Sequence, residues 1–103
     1  MNSLEEGRLR NEATRGQRAV ELMADELIVE AFDILNTRLN DEWASSPVRD
    51  TEGRERIWLM KKLLKNVGDH LNEIAQTGKM ASIQLEQERT IAQRAKQWAK
   101  ESF

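Results

Sequence analysis

Asp69, His70 and Glu73 fall within about one turn of each other if their stretch is helical. An imidazole beside two carboxylates is a residue set for proton transfer or for holding a metal ion. His70 is the single histidine, however, and a helical surface histidine flanked by carboxylates is ordinarily solvated or structural. With no cysteine in the chain, a disulfide framework, a thiolate metal site and a cysteine nucleophile are all excluded. No serine or threonine stands in a nucleophile-elbow context, and no glycine pattern matches a phosphate loop or a dinucleotide fingerprint. The Glu-x-x-His ligand set of di-metal helical bundles is missing as well. The expectation is a non-enzymatic chain with no catalytic residue, no cofactor and no metal.

Charge and aromatic placement carry more. Glu26, Glu30 and Asp33 recur at i, i+4 and i+7 with no cation placed to neutralise them along the helix, so they make a self-repelling acidic stripe. Between Val20 and Val48 the acids are opposed only by Arg38. Farther on, Arg54, Trp58, Lys61, Lys62 and Lys65 project onto one basic face. A tryptophan among cations is the make-up of a docking hot spot, and stacking beside lysines also suits single-stranded nucleic acid. These two stripes are the candidate partner-binding residues. If their segments fold back on each other, Glu30 and Asp33 come level with Lys62 and Lys65 and neutralise them, exposed pairs of this kind contributing about 0–1 kcal/mol each.

The elements that must position these residues follow from hydrophobic period. Residues 1–19 hold Gly7 and Gly16 and no sustained apolar period, which predicts an arm that becomes helical only when docked, with Leu4 and Leu9 as anchors. From Val20 to Trp43 apolar residues including Leu27, Leu35 and Leu39 recur at spacings of three and four, which predicts a helix over about 20–44 whose face Ile28 and Phe32 widen. Pro47 then ends helix geometry and forces Ser46 out of the α region. Asp50 or Thr51 is a fitting N-cap for a second helix over about 51–77. Its apolar positions Ile57, Met60, Leu64, Val67, Leu71 and Ile74 form a heptad seam, broadened on one side by Leu59 and Leu63. Gly78 is placed to close that helix as a left-handed C′ residue. A third helix over about 80–101 has a thin stripe of Met80, Ile83, Ile91, Ala95 and Trp98.

Composition bounds the class. The chain has 103 residues, 33% charged, 39% hydrophobic and only 5% aromatic, with a single proline, which favours long helices over sandwiches and barrels. The expected architecture is therefore all-α: an arm over 1–19, then a helical domain over 20–103 built as a long antiparallel hairpin plus a C-terminal helix. A core this small gains from self-association, so a homo-oligomer is expected, with Leu27, Trp43, the seam from Ile57 to Ile74, and Trp98 as core or interface residues. The net charge of −2 supplies no global cationic field for nucleic acid or anionic lipid. With no apolar signal region and no run of eighteen apolar residues, neither secretion nor a membrane span is expected, and the cytoplasm is the default compartment.

The block "WASSPVRDTEGRERIWLMKKLLKNVGDHLNEIAQTGKMA", Trp43 to Ala81, resembles a group of small phage and prophage proteins. It shares with them a tryptophan, a short proline turn, an "RDTEGRE" helix start, an apolar helix and a "TGK" stop. The resemblance covers somewhat over a third of the chain and carries no catalytic residues. It implies virion assembly or DNA packaging inside a host cell, where such helical proteins serve as scaffolds, small packaging subunits or virion-associated adaptors. The leading expectation is thus a structural or assembly protein that self-associates and docks other phage proteins. A nucleic-acid-binding packaging subunit, similar to a small terminase, is the alternative, and a small inhibitor of a host enzyme is a further one.

Overall fold

The computed structural model describes residues 2–102; Met1 and Phe103, the outer ends of the expected arm and helical domain, lie outside them. The described chain is all-helical, with α1 (Ser3–Ala24), α2 (Glu26–Ser45), α3 (Thr51–Ser102) and, among the described residues, no strand. It divides into two compact units, one of Met1–Ala19 with Glu73–Phe103, the other of Val20–Asn72.

The helix boundaries differ from expectation at three places. Residues 1–19 are not an irregular arm: helix runs from Ser3, with Leu9 and Ala19 at 2–3% exposure. Leu4, the other expected anchor, is exposed because it lies a turn beyond the covered part of the helix.

The single helix expected over 20–44 is broken at Asp25, which takes an extended conformation (φ −66°, ψ 125°) and accepts hydrogen bonds from Leu27 N (2.9 Å) and Ile28 N (3.2 Å). This is an N-cap, and it satisfies amides that would otherwise be left without partners at a new helix start. The break also re-phases α2. Leu27, expected on the covered stripe, is 74% exposed, whereas Ile28, Phe32 and Leu39 become the half-buried residues. Replacement of Asp25 by alanine is expected to cost about 1 kcal/mol in urea unfolding, because alanine keeps helix propensity but removes both cap bonds. An unchanged midpoint would show that the cap contributes nothing.

The third difference is continuity. The expected stop at Gly78 does not occur, and the helices expected over 51–77 and 80–101 are one helix. No glycine among the described residues has positive φ, so Gly78 is not a C′ residue but an interior helical one. Its reason for being glycine is packing. A methyl group built on Gly78 would meet Gly16 Cα at 2.5 Å and Glu12 O at 2.7 Å; one built on Gly16 would meet Gly78 Cα at 2.6 Å and Ile74 O at 3.1 Å. The two backbones touch, and only glycine on both sides permits that approach. Each glycine is flanked at −3 and +3 by alanine, Ala13 and Ala19 on α1 and Ala75 and Ala81 on α3. All but the half-buried Ala13 are buried, so this matched strip of small residues is the core of its unit.

The turn between α2 and α3 follows the expected chemistry. Ser46, ahead of Pro47, is extended at φ −69°, ψ 138°, and its N–H and hydroxyl both donate to Trp43 O (3.2 and 2.7 Å). Asp50 N donates to Pro47 O (3.0 Å), and the Asp50 carboxylate accepts from Gly53 N (3.0 Å), which caps α3.

Candidate interaction surface

In the unit of Val20–Asn72, α2 has no buried residue at all. That is unusual for a twenty-residue helix with leucine, isoleucine, valine and phenylalanine at helical spacing. On α3 the same unit has Ile57 buried and Leu64 and Leu71 half-buried, but Met60 and Val67 are exposed although both belong to the heptad seam. Ile74, the last seam residue, is half-buried in the other unit.

The uncovered residues converge on one open groove of about 590 Å³. Leu35, Arg38, Leu39 and Glu42 of α2 form one wall, and Met60, Leu63, Leu64 and Val67 of α3 the other. Both walls use positions i, i+3, i+4 and i+7, the set that one helical face presents. Leu63, 63% exposed, is the most open of the hydrophobic residues that line it. A smaller hollow of about 200 Å³ lies between Met23, Ile28, Val29, Phe32 and Asp33 on one side and Gly68 and Leu71 on the other.

The charged stripes are positioned otherwise than expected. Among the described residues, Glu26, Glu30 and Asp33 enter no ion pair, so the neutralisation by Lys62 and Lys65 is absent. Lys65 instead pairs with Asp69 at 2.6 Å along α3, and Lys62 lies 4.9 Å from the centre of the Trp58 ring. A partner one turn away on the same helix is reached with less side-chain ordering than one on another helix. Arg54 is also engaged, its guanidinium 4.3 Å from the centre of the Trp43 ring, and Lys61 is half-buried. Trp58 itself is 48% exposed with the Lys62 ammonium over it, a cation–π contact at the surface rather than a buried anchor.

In the other unit, Met80, Ile83, Ile91, Ala95 and Trp98 are all exposed. At 100° per residue they centre on the side of α3 opposite Gly78, which explains why α1 does not cover them. His70 is exposed, and among the described residues no group of three or more His, Cys, Asp and Glu could hold a metal ion. Among the same residues, no helix is long and apolar enough to cross a membrane.

Two features of the surface escaped the sequence reading. Arg38 and Glu42 had been read only as part of an acidic helix, yet they share the groove wall; their spacing of four beside Leu35 and Leu39 was the available signal. The Ala-x-x-Gly-x-x-Ala pattern occurs at 13–19 and again at 75–81, and this recurrence could have paired α1 with α3. Comparison of the chain with protein-family models, with curated proteins and with solved structures finds no match in any of the three.

Proposed function

We propose that this chain is a non-enzymatic assembly protein whose unit of Val20–Asn72 is an antiparallel helical hairpin that self-associates through its open apolar face. The observation that carries this reading is α2, a twenty-residue helix with an apolar face and no buried residue. Burial of apolar area is the main favourable term in helix packing, roughly 25 cal/mol per Å², and the exposed Leu35, Met60, Leu63 and Val67 are area still to be covered. Grooves shared by α2 residues 35–42 and α3 residues 60–67, and by α2 residues 28–33 and α3 residues 68 and 71, support the hairpin pairing, since numbers rise along one helix as they fall along the other.

The resemblance of Trp43–Ala81 to small phage proteins places such an assembly role in virion formation or DNA packaging within a host cell. Nucleic-acid binding ranks below self-association. Lys62, Lys65 and Arg54 are engaged with Trp58, Asp69 and Trp43 of their own chain, and a phosphate backbone would have to displace those contacts. Sedimentation of the purified chain at micromolar concentration tests the reading: a mass of two or more chains is expected, and a monomer would overturn it.

A further inference from the structure

We propose that the groove between α2 and α3 is closed by the same groove of a second copy, related by a two-fold axis that passes α2 between Arg38 and Glu42. This rests on the self-association reading above and adds its surface and symmetry. The charges on the α2 wall choose the occupant. Arg38 and Glu42 are one turn apart on α2, about 6 Å along its axis, and among the described residues neither side chain makes an ion pair or hydrogen bond. A groove with one unpaired cation and one unpaired anion side by side suits neither an acidic nor a basic partner, because each would meet a like charge. It does suit its own copy in the opposite direction. With α2 over α2 and the axis between the two residues, Arg38 faces Glu42 of the second copy and Glu42 faces Arg38 of the second copy. This is the reciprocity that a two-fold interface requires.

The rest of the groove fits the same arrangement. Its α3 wall is apolar throughout, Met60, Leu63, Leu64 and Val67, so a symmetry-related wall can cover it with no charge buried unpaired. The product is four helices around one core, with a/d-type residues from each. Polar residues at the rim then set register and direction while the leucines supply the affinity.

Charge exchange tests this directly, since both side chains are exposed and their replacement leaves the single chain's packing intact. Arg38→Glu sets glutamates against glutamates across the axis, and Glu42→Arg sets arginines against arginines. Each single variant should keep its far-ultraviolet helicity and dimerise at least about tenfold more weakly than the native chain. Mixed one to one, the two variants should form a heterodimer of near-native affinity, and the double variant Arg38→Glu, Glu42→Arg should recover the homodimer. If the native chain is oligomeric but the single variants associate as it does, the interface lies elsewhere and this inference fails while self-association stands. If the single variants weaken but neither the mixture nor the double variant recovers, the two-fold register is wrong. A monomeric native chain overturns both.

Discussion

Replacing Gly78 by leucine is expected to separate α1 from α3, and even alanine there should lower stability by about 1–3 kcal/mol. The sign is the informative part. In a helix interior, alanine is ordinarily more favourable than glycine by about 0.8–1 kcal/mol, and α3 is helical on both sides of Gly78. Against that gain, the added methyl would lie 2.5 Å from Gly16 Cα and 2.7 Å from Glu12 O, both backbone atoms that no rotamer change can move. The helices must part, and the contacts that bury Leu9, Ala19, Ala75 and Ala81 loosen with them. Gly68 is the control, since it lies in the same helix with nothing within 4 Å of an added Cβ. Gly68→Ala should therefore stabilise by about 0.5–1 kcal/mol. Urea midpoints of the two variants should move in opposite directions, and a stabilised Gly78→Ala protein would mean that α1 does not pack at that point.

The second large effect belongs to the groove. Leu63→Asp should abolish self-association, weakening it by about a hundredfold or more. In a two-fold assembly each substitution acts twice, and each copy loses a leucine worth about 1.5–3 kcal/mol of burial while placing a carboxylate among Leu35, Leu39 and Met60. Because α2 buries nothing within the single chain, its own stability depends on that cover. Amide exchange over α2 in the native protein should slow as concentration rises, and in Leu63→Asp it should be fast at every concentration. Slow, concentration-independent exchange in the variant would show that α2 is held by its own chain. Leu27→Asp, at a 74% exposed position ahead of the groove, should leave both association and exchange unchanged.

Much of the local structure was legible because it depends on near neighbours. Pro47 removes a donor and restricts Ser46, and Asp50 caps the next turn; each acts over three or four residues and needs no tertiary information. Asp25 acts by the same chemistry but was masked, since the apolar period runs through it with only a small change of phase. The resulting rotation of α2 exchanged Leu27 for Ile28 on the covered side. Gly78 misled for a different reason. Glycine after a long helical run is a common stop signal, but here its meaning is set by Gly16, some sixty positions away, and a contact of that kind is not encoded locally.

The candidate surface was legible as an excess of apolar width, in the broad face of α2 and in Leu59 and Leu63 beside the seam. What periodicity could not supply was which part of that width stays open. That depends on where α2 lies against α3 after the Asp25 break, and it leaves Leu35, Met60, Leu63 and Val67 uncovered. The charged stripes were also correctly located along the helices but wrongly paired, because i, i+4 partners on α3 compete well against those on α2.

The most direct measurement is the solution mass of the native chain across a micromolar concentration series, by sedimentation equilibrium. A reversible dimer, twice the mass of the 103-residue chain, is expected, with α2 protected in step with the dimer fraction. A monomer throughout the series, with α2 protected all the same, would contradict the claim that the open face of Val20–Asn72 exists to be covered by another copy.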